Sequence, residues 1–250
     1  VYICRKDRTD KEPPALIAKL LGYGVLSCLP AIVVELILSA IIERLNVRNV
    51  YLGYFLEAFV VAGLTEETCK FLFLRTTWRN PAFDYQFDAI VYAVMVALGF
   101  AAFENVKYVY SYGFATGIVR AVTAVPGHAI FGVFMGYFYG YAKLSDYWGR
   151  DDDRKAYLAL SVVVPVLMHG CYDFLAFTQE SDSRFTLLFY AYLVALYVFG
   201  IRRVNRSSRD DRRVTRETVF DYFRRMQYPM PPQYLSLIHI SEPTRRRGIS

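Results

Sequence analysis

Cysteine is scarce in this chain: four residues in 250, none of them in a C-x-x-C pair. That argues against a disulfide framework and against a cysteine-built zinc site. Histidine is scarcer still, with three residues. No G-x-S-x-G, no H-E-x-x-H and no recognisable Cys–His arrangement occurs, so the common serine, zincin and cysteine hydrolase motifs are missing. Charge is low at 21% of residues while aromatics reach 17%, the opposite of a disordered composition. What fills the chain is apolar: 55% of residues by the broad count, with mean hydropathy +0.23. These residues come in long blocks and not at helical or strand spacing, which argues against an ordinary soluble domain. The net charge of +6 sits between and after the blocks, a placement that speaks of membrane orientation and not of nucleic acid.

The two ends read differently from the middle. The chain opens on Val1-Tyr2-Ile3-Cys4 and runs straight into Arg5-Lys6-Asp7-Arg8, like the end of a further N-terminal span whose start is missing. Residues 235–250, beginning LSLIHISEPTR, resemble the translation of a sequencing adapter and are set aside as an artefact. His239 goes with them, which leaves His128 and His169.

A helix needs about 20 mostly apolar residues to cross the hydrocarbon. Six segments qualify: about 16–42, 50–74, 87–110, 114–142, 156–178 and 185–201. Backbone groups in lipid must satisfy each other, and the short alternating strands of a barrel are not visible, so these are helices. The predicted fold class is all-α: a polytopic transmembrane helical bundle over residues 1–201, followed by a basic cytosolic tail at 202–234. Tyr51, Tyr54, Trp78, Tyr108, Tyr110, Tyr147 and Trp148 crowd the span ends as interfacial anchors do. Lys and Arg alternate from loop to loop. The stretches at 5–11, 75–79 and 143–155 are basic, and nine Arg lie between 202 and 225. The positive-inside rule therefore places these loops and the C-terminal tail in the cytoplasm.

Ionisable groups inside a span are costly, and so are functional candidates. The second span carries Glu66, Glu67 and Lys70, the third Glu104 and Asn105, the fourth Arg120 and His128, and the fifth His169 and Asp173. At about 1.5 Å per residue from the cytoplasmic ends, His128 and His169 lie roughly 21 and 20 Å deep, and the glutamate pair roughly 11 Å. Lys70 is i,i+4 from Glu66 and i,i+3 from Glu67, within reach of either. Asp173 lies one turn from His169, placed to orient the imidazole. Gly132, Gly136 and Gly140 form a small-residue stripe that lets helices approach closely. Glu104 and Arg120 sit at matching depths and either neutralise each other or serve the site. Glu35 and Glu57 stand alone and read as packing or pairing groups.

Carboxylates and imidazoles at one depth suit the activation of water. A glutamate takes the proton of water attacking a carbonyl, and histidines meet the oxyanion or protonate the leaving amine. Alternatively Glu67, His128 and His169 form a three-ligand catalytic zinc site with an open position. Two rivals use the same residues: a proton-coupled transporter with Glu, His and Asp as a relay, and an inactive membrane scaffold.

Taken in order, the motifs resemble a family. Glu66-Glu67-Thr68-Cys69-Lys70 resembles the E-E-x-x-K motif of PrsW-type intramembrane proteases, and Phe103-Glu104-Asn105 with Tyr108 resembles their F-E-N-x-x-Y segment. Pro126-Gly127-His128 and His169-Gly170-Cys171-Tyr172-Asp173 resemble the third and fourth motifs, and Asp10-Lys11-Glu12-Pro13 matches ahead of the first complete span. The resemblance covers roughly residues 5–200. It implies a multi-pass protease of the bacterial cell membrane, related to the CAAX-processing and bacteriocin-immunity membrane proteases. Glu66 or Glu67 would be the general base, and His128 and His169 would bind the oxyanion or a metal. Lys70, Glu104, Asn105 and Asp173 would support them. The chain departs from the wider group at Ala124, where that group has Phe, and at Asp173, where it has Asn. The implied substrate is a membrane-anchored protein, by family analogy an anti-sigma factor.

Overall fold

A computed structural model describes residues 2–7 and 11–214 of the chain. Among these residues the regular structure is helical. A short helix α1 (Tyr2–Lys6) precedes α2 (Pro14–Arg44), α3 (Val50–Phe55), a π-helical segment (Leu56–Leu64), α4 (Thr65–Leu74), α5 (Asp88–Tyr112), α6 (Phe114–Val122), α7 (Ala124–Tyr147), α8 (Asp151–Ser181) and α9 (Arg184–Arg209). The stretches Pro14–Arg44, Asp88–Tyr112, Phe114–Tyr147, Asp151–Gln179 and Arg184–Arg209 are long and apolar enough to cross a membrane. The remaining expected span, 50–74, is helical throughout but in three pieces: α3, the π segment and α4.

The helix α5 is the axis of the bundle. Of its apolar stretch 72% is buried, against 17% for α2 and 22% for α9. α2 and α7 each pack on it by close backbone approach. A side chain at Gly24 of α2 would lie 2.7 Å from the Phe100 nitrogen, and one at Gly99 would strike the Leu21 carbonyl. On α7, the glycine stripe faces Ala93 at Gly132, Ala89 at Gly136 and Gln86 at Gly140, so it serves packing. α8 then covers α7 and the π segment, and α9 closes against α7 and α8. The outward faces carry large apolar side chains, among them Leu29, Leu36 and Ile37 on α2 and Leu187, Val194 and Phe199 on α9, as hydrocarbon requires.

Two features refine the sequence reading. The stretch after the second span does not leave the bundle at 75. A 3-10 turn at Arg75–Thr77 continues it, and the chain folds back so that Phe83 and Phe87 are fully buried. Phe83 stacks on Tyr139 with ring centroids 5.7 Å apart, and Lys143 donates to the Trp78 carbonyl at 2.6 Å. At the other end α9 does not stop at 201. It runs to Arg209, and residues 211–214 then pair with the 84–87 turn. The Gln86 nitrogen donates to the Arg212 carbonyl, the Val214 nitrogen to the Asp84 carbonyl and the Phe87 nitrogen to Asp211 Oδ1. Val214 is buried in the main core. α9 and this paired segment together carry the packed structure to Val214. The rest of the expected tail and the adapter-like segment at 235–250 lie outside the described residues.

Candidate active site

The glutamate pair owes its placement to the π segment before it. Within Leu56–Leu64 the buried positions are Ala58, Val61 and Gly63, and in α4 they are Thr65, Glu66, Glu67, Cys69, Lys70, Phe71 and Leu74. A π turn closes i→i+5 and adds a residue to the register, a device found mostly at functional positions. Gly63 admits α8 closely here: a side chain on it would lie 3.1 Å from the Val166 carbonyl and 3.3 Å from the Gly170 nitrogen. That contact brings His169 of α8 beside Glu67 of α4. His128 enters from the first turns of α7. There Pro126 lacks the N–H that would bond the Val122 carbonyl, and Tyr197 of α9 takes that carbonyl at 2.6 Å instead. The proline thus ties α9 to the start of α7 just before the histidine.

The side chains converge. Lys70 Nζ donates to Glu66 Oε2 at 3.1 Å and to Glu67 Oε1 at 2.7 Å, and lies 3.0 Å from His128 Nδ1. Since an ammonium only donates, His128 Nδ1 accepts and its Nε2–H donates to Glu104 Oε2 at 2.9 Å. Arg120 holds the same Glu104 oxygen at 2.8 Å and stacks over the Tyr108 ring. His169 Nδ1 lies 3.0 Å from Glu67 Oε1, and its Nε2 lies 3.1 Å from Asp173 Oδ2. The two imidazole centroids are 5.0 Å apart and nearly perpendicular, with the Phe131 ring stacked on His169. Glu66, Glu67, Lys70, Glu104, His128 and His169 are all buried, Glu67 completely.

Beside this cluster lies a cavity of about 380 Å³. Glu66, His128, His169 and Asp173 face it, whereas Glu67 does not line it. Glu35 and Glu57, read from the sequence as packing or pairing groups, line it together with Lys107. Glu57 accepts from Ser39 at 3.2 Å. Their mid-span charge was the available signal; their convergence on one space depends on how α2 crosses the π segment. Asn105 is not brought in: its amide donates to the Gly117 carbonyl at 3.3 Å and ties α5 to α6. Glu104, one residue earlier, turns to the cluster instead, and it both pairs with Arg120 and meets His128.

Residues 12–201 match the PrsW family intramembrane metalloprotease. The chain belongs to that family. It is 34% identical to the Protease PrsW of Bacillus subtilis (strain 168), over 82% of this chain and 88% of that protein. It is 35% identical to the Protease PrsW of Oceanobacillus iheyensis, over 83% and 89%, and 30% identical to that of Clostridioides difficile (strain 630), over 85% and 88%. No solved structure matches it. The chain is therefore a protease and an integral membrane protein.

The family description names a metal, and the cluster can be tested for one. Glu66, Glu67, His128 and His169 each offer a ligand atom, all within 4.8 Å of one another. Each histidine has its Nε2 backed by a carboxylate, Glu104 or Asp173, and turns Nδ1 inward. That is how metal-binding imidazoles are oriented. Glu67 Oε2 is buried and has no hydrogen-bond partner among the described residues, an orphaned acceptor at the centre of the donor set. The residues fit a divalent cation, with Lys70 standing among them.

Proposed function

We propose that this chain is an intramembrane endopeptidase that cleaves a membrane-anchored protein by direct attack of water, without an acyl-enzyme. The observation that carries the reading is the buried set Glu66, Glu67, His128 and His169, gathered within 4.8 Å beside a polar cavity. The two glutamates divide the work. Glu66 faces the cavity and acts as general base: it takes a proton from the attacking water and returns it to the leaving amine. Glu67 lies behind it and fixes His169 Nδ1. Asp173 and Glu104 hold the two imidazoles from their far sides, so that both rings present a fixed edge to the cavity.

Glu67, His128 and His169 would hold a metal ion, zinc being the ion that such a His₂Glu set favours. When bound, that ion supplies a Lewis acid for the scissile carbonyl and a more acidic water. The substrate enters between helices from the bilayer, and by family resemblance it is an anti-sigma-factor-like protein. The basic loops and tail face the cytoplasm.

The test is cleavage of a single-span substrate by protein reconstituted in liposomes. Glu66→Gln, Glu67→Gln and His169→Ala should each abolish cutting while the helical content shows that the bundle still forms. Normal cutting by these folded variants would refute the assignment. Solute uptake that depends on the same residues would transfer them to a transporter.

A further inference from the structure

Lys70 has no carboxylate to itself; it stands among the candidate metal ligands. Its Nζ is within 3.1 Å of Glu66, Glu67 and His128, which are three of the four. The side chain is 1% exposed, and the Phe100 ring closes over the ammonium with its centroid at 4.0 Å. The neighbouring cation, Arg120, is committed to Glu104. A zinc ion takes nitrogen and oxygen ligands at about 2.0–2.2 Å. The ammonium draws on the same atoms at 2.7–3.1 Å. Both cations cannot hold those atoms together, because their charges repel strongly at such short range in a buried site.

We infer that Lys70 is the resident cation of this cage, and that a divalent ion enters only by displacing its ammonium. The inference rests on the metal reading above and adds to it a competitor built into the chain. The flexible four-carbon stem of lysine suits the exchange, since the head can move without the helix moving. Between ions, Lys70 neutralises the glutamate pair and keeps Glu66, Glu67 and His128 gathered. The cost is affinity: a cage occupied by its own lysine binds metal more weakly, in proportion to the fraction of time it is open.

The measurement is zinc affinity of purified protein in nanodiscs, read by competition with a chromogenic chelator, with bound zinc counted by elemental analysis. Lys70→Met removes the ammonium while keeping an unbranched stem, and should bind zinc at least tenfold more tightly than wild type. Lys70→Arg keeps a cation and should show no such gain. Melting without metal guards against a folding defect. Lys70→Met should melt lower than wild type when zinc-free and be raised by zinc by more than wild type is. If Lys70→Met is unstable without metal, the same comparison is made on protein purified with zinc, by the rate of its loss to chelator, which should be slower than in wild type. Zinc in Lys70→Met but not in wild type would support the inference in its strongest form. Wild type binding zinc with equal or greater affinity than Lys70→Met would overturn it and leave the metal reading standing. No zinc in any variant would overturn both, and the cleavage assay would then judge the protease reading by itself.

Discussion

Asp173 Oδ2 lies 3.1 Å from His169 Nε2, one helical turn away on α8, and 17% of the Asp173 side chain is exposed to the cavity. The carboxylate therefore reaches the imidazole from the face opposite Glu67. Removing an outer partner of this kind costs about 10–100-fold in activity or metal affinity. Asp173→Ala should lose cleavage within that range with little change in melting temperature. Asp173→Asn, which keeps an acceptor oxygen at the same reach, should retain more. Equal losses in the two variants would mean that Asp173 does not act by orienting the ring.

Gly136 tests the packing that holds α7 to the axis. A Cβ there would strike the Ala89 carbonyl and lie 2.5 Å from Ile90 Cα, both backbone of α5, which cannot rotate aside. Overpacking of this kind costs about 1–3 kcal/mol and occasionally more. Gly136→Ala should lower the melting temperature, and Gly136→Val more so. Gly22, with open space about it, offers the control: Gly22→Ala should not lower the melting temperature.

The fold was legible because lipid demands long apolar runs, and those survive reading one residue at a time. The expected first span at 16–42 and the observed α2 at Pro14–Arg44 differ by two residues at each end. The depth of the glutamate pair was harder. Counting from residue 74 put Glu66 and Glu67 roughly 10 Å below the histidines. The structure shows contact, because the second segment continues through Thr77 and the 78–87 stretch buries itself under the bundle. Trp78 and Phe83 were the signal, since large aromatics in a loop call for a core. The π segment has no sequence rule that would reveal it, and the reach of Glu35 and Glu57 into the cavity is set by contacts between distant helices.

Arg120 holds Glu104 at 2.8 Å on the oxygen that also receives His128. Breaking such a largely buried pair from one side leaves the Glu104 charge without its cation, which is destabilising. Arg120→Met should therefore melt well below wild type. The double variant Arg120→Met with Glu104→Gln should recover part of that loss, because the unpaired carboxylate is gone. Cleavage should not recover with it, since His128 Nε2 would then face an amide in place of a carboxylate. A double variant that melts no higher than the single one would show that Arg120 stabilises by packing on Tyr108 and not by charge.

A second group of acids, away from the site, sets a pH dependence. Glu12 accepts from the Tyr92 hydroxyl at 2.9 Å, near Asp7 and Asp88, while Asp88 Oδ2 accepts from the Asp84 and Tyr85 nitrogens. Burial pushes the Glu12 carboxyl up from 4.5 to about 7; the Tyr92 hydrogen bond pulls it down, and the charges of Asp7 and Asp84 add to the rise. The folded chain then holds this proton more tightly than the unfolded chain does. Below pH 4.5 both states are protonated and the group is neutral in its effect. From there to about pH 7 the unfolded state ionises first, so stability falls as pH rises. Above pH 7 both are ionised and the loss is constant. Melting temperature measured from pH 4.5 to 8 should decline through this window in wild type, and Glu12→Gln, which carries no titrating proton, should flatten that part of the decline. Parallel curves for the two proteins would assign the slope to other groups.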